Sequence, residues 1–167
     1  RNFFIKDFLC HMLYTRKKRR PLMHLPFLWR IHMWHHSPKQ MSWLAGFRTS
    51  LLDATVVNFA FIIAWPLLGS VGDSTRIVLL LIGLLLNDWM HLNIRFRLDT
   101  LGKFLVTPRY HHVHHSTDET HYTKNLASIF PIWDRLFGTY QNPDSIEKEL
   151  AFGINEKRSL PRLASGL

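Results

Sequence analysis

The chain has a single cysteine, Cys10, among its 167 residues. One thiol cannot close an intramolecular disulfide, and it excludes zinc or iron–sulfur sites built on cysteine clusters. Acidic residues are scarce: 12 Asp and Glu stand against 21 Lys and Arg, for a net charge of +9. No segment keeps the strict alternation of a half-buried strand over a useful length, so an all-α fold is expected. Haem and flavin motifs are absent, and no nucleic-acid-binding motif accompanies the positive charge, so no nucleic-acid partner is expected. The first 20 residues lack the charged, apolar and small-residue order of a signal peptide. The chain begins at Arg1 rather than Met, and is expected to be an internal fragment with residues missing before it.

Apolar residues concentrate in two stretches, Leu51–Gly69 and Ile77–Leu92. A bilayer-spanning helix takes about 20 such residues. The first stretch reaches that length, although Asp53 and Asn58 weaken it. The second is short for a straight span and ends in Asn87, Asp88 and His91. Ser70–Thr75 reads as a polar turn between them. The pair is expected to form a membrane hairpin, with a buried hairpin in a soluble protein as the alternative. Five consecutive cations, Arg16–Arg20, fit the positive-inside rule and an attraction to anionic headgroups. Residues 1–140 are expected to form one membrane domain, and 141–167 a polar tail.

Against these absences stands an excess of histidine in one pattern. His-x-x-His-His occurs at His32, His35 and His36, and again at His111, His114 and His115, with His112 added in the second copy. On a helix, positions i, i+3 and i+4 share a face. Each triplet is therefore expected to aim three imidazoles at one point, and two facing triplets would make a cage for two metal ions. Pro26 near the start and Pro38 as a stop bracket a helix over Leu22–Ser37 for the first triplet. A hairpin between the boxes returns the chain to the same, cytoplasmic, face and closes their separation in sequence. Neutral imidazole suits Fe, Zn, Cu and Ni. Spacing alone leaves O₂ chemistry at iron and hydrolysis at zinc both open, although neither box contains a carboxylate to serve a hydrolase as base.

These segments carry a resemblance. Leu28-Trp29-Arg30-Ile31-His32-Met33-Trp34-His35-His36-Ser37 resembles the second histidine box of the fatty acid hydroxylase/sterol desaturase superfamily, and His111-His112-Val113-His114-His115-Ser116 resembles its last box. Asn125 with Ile132-Trp133-Asp134-Arg135-Leu136-Phe137-Gly138-Thr139 is similar to the closing signature. His91-Leu92-Asn93 is similar to the His-x-Asn element between the boxes, and Arg48 stands where an arginine commonly follows the second box. The first box differs: only His24 lies at about the right place, and Arg20 and Arg19 stand four and five residues before it. His11 lies further upstream.

The resemblance implies an integral membrane helical bundle with a histidine-lined di-metal site on the cytoplasmic side. It implies O₂-dependent hydroxylation or desaturation of a fatty acyl, sterol or carotenoid C–H bond. The cofactor would be two Fe ions, with Zn possible as purified, and an external electron-transfer protein would supply electrons. The implied ligands are His24, His32, His35, His36, His91, His111, His112, His114 and His115, with His112 either a ligand or an outer partner and His11 an alternative first-box ligand. Asn125 is a candidate hydrogen-bond partner of a ligand imidazole, and Asp134 and Arg135 read as structural. His121 belongs either to the surface or to the mouth of the site. Trp29, Trp34, Phe104 and Tyr110 are candidates to line a lipid path. The altered first box also admits a metal-binding membrane relative without turnover, acting as a partner or scaffold.

Overall fold

The computed structural model describes residues 26–56, 72–94, 97–98, 100–154 and 159–166. His11, the basic run Arg16–Arg20, His24 and most of the first apolar stretch lie outside the described residues. The described chain is helical and irregular, as the sequence implies. No strand occurs among the described residues, and the one isolated bridge pairs Ser116 with Phe152.

Helix α1, Pro26–His32, begins on a proline, whose fixed φ and missing N–H suit a first helical position. It ends well before Pro38. Beyond His32 the chain tightens into i→i+3 turns, with His35 N–H donating to His32 O at 2.9 Å and Ser37 N–H to Trp34 O at 3.2 Å. The first triplet therefore straddles a helix end and a turn, rather than one continuous helical face as the sequence suggested.

A 3₁₀ turn follows at Trp43–Phe47 with its small residues, Ala45 and Gly46, facing inward. Gly46 explains why: a Cβ there would come within 2.5 Å of Asn87 Nδ2 and 3.2 Å of His91 Nδ1. A hydrogen side chain lets this turn sit closely on the end of helix α2, Asp73–His91. Residues 51–56 are again helical. Ser50 caps them, its Oγ accepting from Asp53 N–H at 3.1 Å while donating to Ile31 O at 2.5 Å.

Helix α2 carries the second apolar stretch. Ile77, Val78, Leu80, Leu81, Ile82, Leu84 and Leu85 are all exposed, and burial sets in at Met90 and His91. Among the described residues no helix is long and apolar enough to cross a membrane.

Helix α3, Pro108–His114, carries the last box. Thr107 caps it through Tyr110 N–H and Pro108 occupies its first position, which starts the helix just before the box. The closing signature bolts α3 in place. Asp134, on α4 (Ile132–Phe137), is wholly buried and accepts from Leu126 N–H, Ala127 N–H, Tyr110 O–H and Thr139 O–H. Gly138, at φ 73°, ends α4 in the left-handed conformation that favours glycine. Met90, Val106, Tyr110 and Ala127 form the adjoining core, with Trp89 and Tyr140 packed against it.

The polar segment after residue 140 lies back on the boxes. Thr117 N–H donates to Ala151 O at 2.9 Å, and Asp144 takes ion pairs from Arg97 and Arg109. Helix α5, Leu160–Ser165, buries Leu163, and Gly166 after it approaches Ile31 and Ser50 closely.

Candidate metal centre

Seven of the nine singled-out histidines come together as two groups of potential metal donors. His35, His91, His111 and His115 form one, and His32, His36 and His114 the other, with the donor atoms of each group within 4.8 Å of one another. The triplets do not each converge on a point, as the spacing alone implied. They interleave: His32 and His36 line the second group while His35 crosses to the first, and His111 and His115 line the first while His114 crosses to the second. The i, i+4 pair of each box serves one group, and its i+3 member serves the other.

In the first group the four Nε2 atoms face one another. His91 Nε2 lies 3.1 Å from that of His35 and 3.2 Å from those of His115 and His111, and His111 and His115 are 3.0 Å apart. Nitrogens about 2.0–2.1 Å from a first-row metal ion would sit roughly 2.9 Å apart at right angles and roughly 3.4 Å apart in a tetrahedron. The observed spacing falls between these, so the four imidazoles fit one such ion. The His91 ring is steeply inclined to its neighbours, at 82° to His35 and to His111 and 74° to His115, so the rings radiate from a shared point instead of stacking.

The tautomers agree with this. His91 Nδ1 is 2.6 Å from Asn87 O, and a carbonyl only accepts, so Nδ1 carries the proton and Nε2 presents its lone pair inward. His32 Nδ1 likewise donates to Asp53 Oδ2 at 2.9 Å, leaving its Nε2 as the donor. Burial, reinforced by neighbouring imidazoles, holds His35, His111 and His115 well below the ordinary histidine value. Burial also pushes His114 down to about 3. These rings are neutral near pH 7, the form that binds metal.

His112 stands apart from both groups. One residue after His111, its side chain is turned about 100° round the helix. It packs 5.5 Å from the Phe152 ring, bonds to the Leu92 backbone, and is pushed down to about 4 chiefly by burial. Asn125, expected to bond an imidazole, instead donates to Tyr110 O and Gln141 O and accepts from Gln141 N–H. Its φ of 51° and full burial make it a corner of the chain that these bonds hold. His121 is half-buried with Nδ1 3.1 Å from Ser116 Oγ.

Nor do the four singled-out aromatics line one path. Trp29 packs on His36 and Tyr122, Trp34 lies under Arg48, Tyr110 is core and Phe104 is exposed. Asp53 is the residue the sequence reading missed. A carboxylate inside Leu51-Leu52-Asp53-Ala54 looked like a flaw in a span, whereas burying one without a partner is costly, and that cost was the available signal.

Paired histidine groups on a small set of helices, each able to hold a metal ion, define a histidine-box metal protein. The chain belongs to the fatty acid hydroxylase family, whose model matches residues 7–139. It is 32% identical over 114 residues to an alkylglycerol monooxygenase of Homo sapiens, covering 68% of this chain and 25% of that protein. It is 34% identical over 116 residues to the alkylglycerol monooxygenase of Danio rerio, covering 70% and 25%. An ornithine lipid hydroxylase of Rhizobium tropici is 34% identical over 127 residues, covering 70% of this chain and 35% of that protein. The chain thus spans about a quarter of the monooxygenases it matches. No solved structure matches it.

Proposed function

We propose that this chain is the metal-binding part of a membrane-embedded lipid hydroxylase that uses O₂ at two iron ions. The observation that carries the reading is the pair of abutting histidine groups, in one of which His91 Nε2 lies 3.1–3.2 Å from the Nε2 atoms of His35, His111 and His115. His35, His91, His111 and His115 would hold one iron, and His32, His36 and His114 the other. The names of the relatives, a monooxygenase and a hydroxylase, favour hydroxylation over desaturation.

Iron held there would supply O₂ reduction, one oxygen atom going into the lipid C–H bond and the other to water as two electrons and two protons are taken up. The chain's own work is positional. Asn87 and Asp53 orient two imidazoles, Trp29 shields His36, and burial keeps the rings unprotonated. Without a haem or flavin motif, the electrons come from a separate protein. The exposed apolar length of α2 fits lipid surroundings, and the run Arg16–Arg20 fits a cytoplasmic location for the site.

The test uses the full-length protein in membranes, with an alkylglycerol or an ornithine lipid, a reductant and ¹⁸O₂. One ¹⁸O atom in a lipid alcohol and two irons per chain are expected. Two irons with no labelled product from either lipid would overturn the proposed activity, and fewer than two would overturn the di-iron centre.

A further inference from the structure

Asp53 is 3% exposed, and its two carboxylate oxygens are used unequally. Oδ2 accepts the His32 Nδ1–H at 2.9 Å, while Oδ1 is buried without a hydrogen-bond partner among the described residues. Burying a carboxylate is costly unless compensating charge lies close by. The helix start does not require this carboxylate, because Ser50 Oγ already caps Asp53 N–H. Ser50 also donates to Ile31 O, latching the start of residues 51–56 to the end of α1, one residue before His32. The local architecture thus brings a buried negative charge to the outer nitrogen of one imidazole of the three-histidine group.

We propose that Asp53 is the positioning residue for the metal ion of the His32, His36 and His114 group. By accepting from Nδ1 it fixes the tautomer that leaves the His32 Nε2 lone pair for metal, and it supplies negative charge beside a dication. The role is selective. The four-histidine group has its own supports, Asn87 O for His91 and the Arg48 backbone for His35. This assignment rests on reading both groups as metal sites.

The test is a cobalt(II) titration of the chelator-stripped full-length protein in detergent, followed by visible absorption and elemental analysis. The wild type takes two ions. In Asp53→Ala the first ion binds unchanged, and the second binds about 10–100-fold more weakly, the usual effect of removing an outer partner of a metal-bound histidine. Asp53→Asn keeps an acceptor for Nδ1–H and recovers part of the loss. Circular dichroism and a melting curve establish that each variant is folded.

Unchanged affinity for both ions in Asp53→Ala would overturn the assignment. Parallel weakening of both ions would also overturn it, by showing a general structural role, as would Asp53→Asn binding no better than Asp53→Ala. Uptake of fewer than two ions by the wild type is a separate result, which overturns the di-metal reading and this assignment together.

Discussion

The imidazole of His36 lies stacked on that of His115, with ring centroids 4.3 Å apart and planes 25° from parallel. The two residues come from different boxes and from different donor groups. The groups therefore share a wall of packed rings, and His35, beside His36 in sequence, stands on the other side of it.

Neighbouring histidines should consequently fail differently. His35→Ala is expected to lose the ion of the four-histidine group, and His36→Ala the ion of the three-histidine group. His111→Ala should resemble His35→Ala, although it comes from the other box. Metal counts and cobalt spectra of the three variants check this. Identical spectra for His35→Ala and His36→Ala would mean that each triplet forms its own site after all.

Gly46→Ala tests the seating of the 3₁₀ turn on α2. The added methyl meets Asn87 Nδ2 at 2.5 Å, and Asp88 Oδ1 and His91 Nδ1 at 3.2 Å. The nearest of these atoms ends a movable side chain, so a loss of about 1 kcal/mol is expected, at the low end for overpacking. Gly46→Val should cost more. Melting temperatures provide the ranking, and a Gly46→Val protein as stable as the wild type would contradict the close approach.

Asp134→Ala should act on both metal ions together. It removes the acceptor of four buried donors and with it the brace behind α3, which carries His111 and His114 and ends at His115. Losing the centre of such a buried set costs roughly 3–5 kcal/mol. Chemical denaturation measures the loss, and the cobalt titration should show both ions weakened in parallel, unlike the selective effect expected of Asp53→Ala.

Local signals made part of this molecule legible in sequence. The boxes announced themselves by spacing, because the periodicity of a helix is a local signal. Where each imidazole points was not legible. Helical spacing puts three histidines on one face, but in each box the i, i+4 pair serves one group and the i+3 member the other, on α3 as in the turn after α1, so the shared face is divided between two groups. The partnership of Asp53 with His32 spans 21 residues and depends on how the chain returns, which no periodicity encodes. The anchor of His91 on Asn87 is a backbone carbonyl, present at every residue and therefore without a sequence signature.

The exposed face of α2 bears on the membrane proposal. Leu81 and Leu85 are one turn apart and 52% and 68% exposed, so their replacement leaves the described packing intact. A carboxylate on a helix face that meets lipid is costly. The double variant Leu81→Asp, Leu85→Asp is expected to leave the carbonate-resistant membrane fraction. Undiminished membrane retention would show that this face does not meet lipid.

The pH dependence of the metal-free protein follows from the buried imidazoles. An unfolded chain protonates histidine near pH 6.5. In the folded chain burial pushes His112 down to about 4 and His114 to about 3, and holds His35, His111 and His115 well below the ordinary value. As pH falls below about 6.5, the unfolded state takes up protons that the folded state refuses, so stability falls with pH. The fall continues until the folded-state values are passed. Melting curves of chelator-stripped protein should thus be flat above neutrality and drop steadily through the acid range. Protein loaded with zinc should start higher and then lose its ions over the same interval, because protons compete for the same nitrogens. A metal-free melting temperature that stays constant from pH 7 to about pH 4, below the ordinary histidine value, would mean that these rings are not buried together when metal is absent. The paired groups would then be assembled by the ions rather than by the fold.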